Sequence, residues 1–321
     1  MKFLLKEFQI YVIISKKLIR YECFLEIISS ILQKYFSFMS KAPAAILVSE
    51  LMTSLQPHFD DKESQAIAHR ILDISFDCSQ LDVYMGKELI RPAEWENILA
   101  RLNNGEPFQY VLGKAFFRSE IFEVNASTLI PRPETAELVD LVLEKLPTWK
   151  TNPTVLDVGT GSGCIPISIK MEQSNAQVYA WDVSKDALEV AKRNADKLHV
   201  EVQFSQTDLF KWAETTQLWD IIVSNPPYVL EEEALQMERH VLDFEPHLAL
   251  FVPNDDPLKY YKALADFANC SLHTHGWLVL EINQAYGQEI IDLLNLNGFA
   301  NISLHTDFRD SHRFVCAMKS Q

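Results

Sequence analysis

The chain is short of positive charge. Its 321 residues carry 29 Lys and Arg against 44 Asp and Glu, a formal net charge of −15. Bulk affinity for nucleic acid or an anionic membrane needs clustered Lys and Arg, so this balance argues against both. A basic protein partner stays open. Paired cysteines are lacking too: Cys23, Cys78, Cys164, Cys270 and Cys316 are far apart, odd in number and form no Cys-x-x-Cys. They read as reduced, mostly buried thiols of a cytosolic protein. Glycine and proline are scarce, at 9 and 14, while 48% of residues are hydrophobic. That composition is globular, with enough chain for one large or two modest domains.

Long apolar runs are absent even where they would be easiest to find. The first forty residues, "MKFLLKEFQIYVIISKKLIRYECFLEIISSILQKYFSFMS", hold six Lys/Arg against three Glu, and charge breaks each apolar run within a few residues. A bilayer span needs about 20 consecutive apolar residues. A signal peptide needs an unbroken apolar core and a small-residue cleavage site. Neither is evident in this segment, so no membrane association is expected. Segment 1–40 reads either as a docking amphipathic helix or as an extension upstream of a true start at Met39, and the second is the expectation.

Downstream the periodicity changes twice. In "AAILVSELMTSL" and "ESQAIAHRILDISF" apolar residues recur at three and four, and "FDDKES" and "IRPAEWENIL" offer Asp or Pro at helix starts. A small helical bundle is expected over 41–112, with no strand-like alternation from Lys41 to Asn104. "GEPFQYVLGKAFFRSEIFEVN" alternates aromatic and β-branched residues and suggests a hairpin, which gives a linker over 113–128. In "STLIPRPETAELVDLVLEKL", Pro133 and Glu134 open a helix whose packing face is Leu138, Val139, Leu141 and Val142. After Asn152, five apolar strands alternate with helices, and "ISLHTDF" and "HRFVCAMKS" close the chain as an antiparallel pair. This is an α/β pattern: a mostly parallel, Rossmann-like sheet of seven strands over 129–321, covered on both faces.

Three strand ends carry chemistry. "LDVGTGSGC" places Gly159, Gly161 and Gly163 at a strand-to-helix turn, with Thr160 and Ser162 between them. Glycine there allows a tight turn and close approach of a ligand to the backbone. The spacing is G-x-G-x-G, with Cys164 where a dinucleotide fingerprint needs its third glycine, so a pyrophosphate is disfavoured. Asp182 ends the second strand about twenty residues on, where a carboxylate accepts both ribose hydroxyls. Its plainer reading is a cap for the next helix, a role Ser184 can also fill. Asp208, ending the third strand, can meet an adenine amino group or serve as a cap. Together these sites favour an adenosine-containing ligand.

The fourth strand ends in "SNPPYV". An amide or exocyclic amine nitrogen is planar and a poor nucleophile because its lone pair is delocalised. Attack on an electrophilic methyl requires its two hydrogens to be engaged in plane. Asn225 offers a side-chain carbonyl and Pro226 a backbone carbonyl, and Pro226 and Pro227 restrict the backbone so that both acceptors are preorganised. Tyr228 can lay its ring on the flat face of the acceptor and exclude water. Such a site works by orientation and electrostatics, without a strong general base.

Glycine loop, acid after the second strand and Asn-Pro-Pro-Tyr after the fourth resemble amino-group methyltransferases of class I. "GEPFQYVLG", "LIPRPET", "VLDVGTGSGCIPISI" and "FEPHLAL" resemble the release-factor glutamine N5-methyltransferases (the HemK/PrmC type). The match runs from about residue 43 to the end. This resemblance implies S-adenosyl-L-methionine as cofactor, S-adenosyl-L-homocysteine as product, and a bacterial class-1 peptide chain release factor as substrate. The methyl would go to the side-chain nitrogen of the glutamine in its Gly-Gly-Gln motif, and the helical domain would bind the substrate. Carried over by position, Asn225, Pro226, Pro227 and Tyr228 bind the glutamine. Gly159 to Gly163 and Asp182 hold the cofactor's amino-acid end and ribose, Asp208 and Leu209 border the adenine with Phe210 as a further surface, and Arg132 and Thr135 line the methionine end. Two positions depart from the family's pattern: Ala136 stands where another acid usually follows "RPET", and Glu281-Ile282-Asn283 stands where Glu-His-Gly is usual.

A DNA adenine-N6 methyltransferase shares the glycine loop and Asn-Pro-Pro-Tyr in this order. It would need a flipped base and a grip on a charged duplex, which the acidic balance disfavours. A non-catalytic module on the same scaffold is disfavoured by the intact Asn225, Tyr228, Asp182 and glycines. His273 and His275 read as a surface turn rather than metal ligands. The expectation is a cytoplasmic, monomeric enzyme without stable nucleic-acid binding.

Overall fold

The computed structural model describes residues 41–147, 150–212 and 217–320. Segment 1–40, read above as an upstream extension, lies outside the described residues. The chain divides into two compact units, one ending at Asn104 and the other starting at Gly105.

In the first unit, β1 (Lys41–Pro43), α1 (Ala44–Leu55), α2 (Asp61–Phe76), α3 (Gln80–Tyr84), β2 (Glu88–Ile90) and α4 (Trp95–Asn103) follow one another. Asp60 caps α2 by accepting from the Glu63 N–H, and Ser79 with Asp82 forms a capping box on α3. Leu47, Leu51 and Leu55 of α1 are buried at helical spacing. On the same helix, Glu50 receives the Arg91 guanidinium and, at 2.8 Å, the Trp95 indole N–H, which fastens α4 to it. The antiparallel β1–β2 pair was not expected. Strands of three residues are too short to show an alternation.

The second unit opens with α5 (Phe108–Leu112), then β3 (Lys114–Phe117) and β4 (Glu120–Glu123). The alternation of "EPFQYVL" suggested part of the hairpin. Pro107 before the first turn and Gly113 at φ +65° after the last instead bound a short helix, and only β3 and β4 form the hairpin. Next come α6 (Thr135–Lys145), β5 (Thr154–Val158), α7 (Cys164–Glu172), β6 (Gln177–Asp182), α8 (Lys185–Lys197), β7 (Gln203–Gln206) and β8 (Trp219–Ser224). The chain continues through β9 (Val229–Leu230), α9 (Arg239–Phe244), β10 (Phe251–Val252) and α10 (Lys259–Ser271). It ends with β11 (Leu272–Glu281), α11 (Gly287–Leu296), β12 (Phe299–Thr306) and β13 (His312–Lys319).

Seven strands form one sheet in the order β12-β13-β11-β8-β5-β6-β7, parallel except for β13, which runs antiparallel to both its neighbours. Successive residues of the central strands alternate between two cores. Val155, Ile221, Val279 and Phe314 pack with α6, α7 and the hairpin on one face. Leu156, Ile222, Leu280 and Val315 pack with α10 and α11 on the other. Burial on both faces explains why Ile221, Ile222 and Val223 of β8 are apolar in succession rather than alternating. His273 and His275 lie on β11 rather than in a turn, where the pairing with β8 shifts register between Leu272 and Trp277. Strand order reverses between β5 and β8, and a ligand crevice is expected beyond the carboxyl ends of those strands.

Candidate active site

At that switch point lies a cavity of about 570 Å³, and the residues read from the sequence converge on it. Gly159 to Ser162, Asp182, Asp208, Leu209, Asn225, Pro226, Pro227, Arg132 and Thr135 all line it. Gly163 and Tyr228 are not among the lining residues. A Cβ on Gly163 would stand 3.1 Å from Ala191 Cβ and Ile167 Cδ1, so this glycine lets α7 approach α8. At Gly159 and Gly161, with φ +80° and +54°, a Cβ would meet nothing within 4 Å. These two leave a bare backbone cradle.

The loop is anchored to the end of β6. The Gly159 and Thr160 N–H groups both donate to the Trp181 carbonyl at 2.9 Å, and the Gly161 N–H donates to Asp182 Oδ2 at 2.8 Å. Asp182 Oδ1 accepts from the Ser184 N–H, while Ser184 itself caps α8 through Ala187. Asp182 is therefore not the cap. Burial raises its pKa against those backbone donors. Asp208 does cap a helical turn, accepting from the Phe210 N–H at 2.9 Å and pairing with Lys211 at 2.9 Å. Leu209 is buried in the core, whereas Phe210 is exposed at the cavity with Tyr260 edge-on at 5.1 Å.

Asp157 and Glu281 were legible but unassigned. Asp157 lies within the apolar "VLDVG" and is fully buried, with neither carboxylate oxygen partnered; Thr160 Oγ1 beside it is unpartnered too. Burial pushes Asp157 up to about 7, and the Asp182 charge adds to this. Orphaned buried polar atoms around a glycine cradle are what a polar, partly cationic ligand would satisfy. The groups present thus fit an aminoacyl sulfonium nucleoside: a bare backbone cradle, the Asp182 carboxylate and the Phe210 ring.

The acceptor side is a polar chain. Thr135 Oγ1 donates to Glu281 Oε2 at 2.8 Å and accepts from Asn225 Nδ2 at 3.2 Å. The Tyr228 hydroxyl donates to Glu281 Oε1 at 3.1 Å, and the Tyr228 carbonyl accepts from Asn283 Nδ2 at 3.1 Å. Tyr228 thus turns its hydroxyl inward and packs its ring against the second core. Glu281, which follows the apolar run Trp277–Leu280 at the end of β11, is 1% exposed, and burial pushes its pKa up to about 7. An acid directly after the apolar run "WLVL" was its sequence signal. Ser224, just before Asn225, ties β8 to β5 by donating to the Val158 carbonyl at 2.6 Å. Ala136, at the departing position, packs on the first core and offers its carbonyl to Arg118 at 2.8 Å.

A seven-stranded sheet of this order with one antiparallel strand, and a crevice lined by both the glycine loop and Asn225-Pro226-Pro227, are those of a class I methyltransferase that uses S-adenosylmethionine. The family model for the methyltransferase small domain matches residues 137–243. A release factor glutamine methyltransferase of Bacteroides thetaiotaomicron is 42% identical over 277 residues, 84% of this chain and 98% of that protein. Its counterpart in Flavobacterium psychrophilum is 38% identical over 274 residues, covering 83% and 96%. The chain belongs to the release factor glutamine methyltransferase family. Among solved structures, a release factor-specific protein-(glutamine-N5) methyltransferase of Alicyclobacillus acidocaldarius is 26% identical, covering 62% of this chain and all of that one, with a TM-score of 0.40.

Proposed function

We propose that this enzyme methylates the side-chain amide nitrogen of the Gly-Gly-Gln glutamine in class-1 release factors, acting as a cytoplasmic monomer without stable nucleic-acid binding. The supporting observation is that one cavity is lined both by the glycine cradle with Asp182 and by Asn225-Pro226-Pro227. Bound there, S-adenosylmethionine supplies a methyl group already activated by its sulfonium. Gly159, Gly161 and Thr160 receive the amino-acid end, Asp182 accepts the ribose hydroxyls, and Asp208, Leu209 and Phe210 border the adenine. Arg132 and Thr135 frame the methionine end.

Asn225 Oδ1 and the Pro226 carbonyl accept the two amide hydrogens of the substrate glutamine and aim its nitrogen at the methyl. The sulfonium would supply the methyl to this nitrogen and leave as a neutral thioether, and the surplus amide proton would pass to water afterwards. No residue has to remove it beforehand, so the rate comes from alignment and from carbonyl dipoles that stabilise the positive charge growing on nitrogen. Tyr228 and Pro227 hold this loop against the core. The helical unit, 41–112 in the sequence reading, presents the release factor. Among the described residues no helix is long and apolar enough to cross a membrane.

Incubation with methyl-labelled S-adenosylmethionine and either purified release factor or duplex DNA tests the reading. Label on the release-factor glutamine is expected. Label on DNA and none on the protein would favour adenine-N6 methylation.

A further inference from the structure

Thr135 has one hydroxyl hydrogen and two neighbours that compete for it. At 2.8 Å it faces Glu281 Oε2, and at 3.2 Å it faces the Asn225 amide. An ionised carboxylate can only accept. Thr135 must then donate to Glu281, and towards Asn225 it can only accept. Asn225 is forced to turn its NH2 to Thr135, which leaves Oδ1 for the cavity. The Tyr228 hydroxyl donates to the second carboxylate oxygen at 3.1 Å, so both oxygens of Glu281 are engaged by hydroxyl donors.

Resting on the reading of Asn225 above, we propose that Glu281 is a positioning residue. Through Thr135 it fixes which end of the Asn225 amide faces the acceptor nitrogen, without touching substrate itself. The alternative orientation would aim an N–H at the substrate's own N–H groups, replacing attraction by repulsion at the reacting atom.

A neutral Glu281 would lose this control. Its own O–H could donate to Thr135, whose hydrogen could then turn to Asn225 and stabilise the flipped amide. Groups facing Glu281 set where that happens. Arg313 from β13, itself paired with Asp307 at 3.1 Å, and the Thr135 and Tyr228 hydroxyls favour the anion. Burial and the Glu134 carboxylate at the start of α6 oppose it. Tyr261 from α10 and Cys164 from α7 also lie within its field, and burial keeps both neutral. Burial leads among these causes and lifts Glu281 to about 7, so the switch falls near neutral pH.

Steady-state methylation of a release factor by wild type, Glu281→Gln, Thr135→Val, Thr135→Ser and Asn225→Ala tests this, with cofactor affinity and melting temperature measured alongside. Glu281→Gln and Thr135→Val should lower kcat on the order of 10²-fold, and for Glu281→Gln with little change in cofactor KM. Thr135→Ser should restore most of the rate lost in Thr135→Val. Wild-type kcat should fall as pH drops through about 7, and that limb should be missing in Glu281→Gln. A Glu281→Gln enzyme with wild-type kcat and an unchanged limb overturns the inference, as does Thr135→Ser failing like Thr135→Val. So does a loss of rate that only tracks loss of folded protein. An inactive wild type, or a fully active Asn225→Ala, would instead defeat the underlying reading of the site.

Discussion

Arg132 and Glu245, 113 residues apart in sequence, form an ion pair of 2.6 Å at the cavity, with the Glu245 side chain wholly buried. The other oxygen of Glu245 accepts from the Ile130 N–H at 3.1 Å. Glu245 therefore clamps the segment before α6 to the "FEPHLAL" turn, whose Pro246, Leu248 and Ala249 also line the cavity.

Removing the cation should cost more than removing the anion's charge. Arg132→Met leaves a buried carboxylate without its counter-charge, a loss of about 3 kcal/mol, reduced in so far as water reaches the site. Glu245→Gln keeps an acceptor for Ile130 and should cost about half as much. Denaturant unfolding of both variants measures the difference; equal losses would mean the pair carries no special burden.

The last two loop glycines should separate stability from ligand binding. Gly163→Ala sets a Cβ 3.1 Å from Ala191 and Ile167 at φ +80°, so it strains both the backbone and the α7–α8 contact. A loss of about 2–3 kcal/mol is expected, visible in the melting temperature. Gly161→Ala faces open space at φ +54°. It should cost only about 1 kcal/mol of stability while weakening cofactor binding disproportionately. Isothermal titration and thermal melts together distinguish the two, and a Gly161→Ala protein that binds cofactor normally would remove that residue from the cradle.

This contrast also marks what the sequence could and could not reveal. Gly159, Gly161 and Gly163 look alike as letters because all three need a positive φ. Only the packing of α7 on α8 shows that the third serves a helix contact. Asp182 and Asp208 were each open to a capping reading, and the neighbours decide it: Ser184 takes the cap at one, Asp208 keeps it at the other. The α/β alternation and the seven strands were readable because parallel strands are apolar runs bounded by helices of different period. The β1–β2 pair and α5 were not, being too short to carry a period. Glu281 escaped notice as a site residue because its partners, Thr135 and Tyr228, come from segments 146 and 53 residues away.

Asp157 should make the ligand-free protein less stable as pH rises. Its folded-state pKa is pushed up to about 7, above that of an unfolded aspartate near 4. The folded state then binds the proton more tightly, so this contribution is full below about pH 4 and is lost as pH climbs through about 7. Glu281 acts in the same direction. Asp157→Asn should raise the melting temperature at pH 8 by several degrees, roughly 2–4 °C for each kcal/mol, and hardly change it at pH 5. A variant that melts lower than wild type at pH 8 would contradict the unpartnered carboxylate.

Phe210 should supply binding rather than rate. Its ring is 46% exposed at the cavity, braced by Tyr260, with Lys259 Nζ 5.1 Å from its centroid. Base–aromatic stacking is worth about 1–3 kcal/mol. Phe210→Ala should therefore weaken cofactor affinity about tenfold or more and leave kcat at saturating cofactor near wild type. A fall in kcat with unchanged affinity would move Phe210 to the acceptor side.

The Thr135–Glu281 hydrogen bond spans 146 residues of chain, and the Arg132–Glu245 pair spans 113. The glycine-loop side of the crevice, by contrast, is made from short neighbouring stretches: the β5 and β6 ends and the turn after β7. One half of the crevice is thus local and self-contained, the other a convergence of distant segments joined by single polar bonds. Divergence of acceptor preference can proceed in the second half, bond by bond, without rebuilding the first. A laboratory seeking a new amide substrate would keep residues 155–184 together with Arg132, Thr135, Asn225 and Pro226, and diversify 245–249.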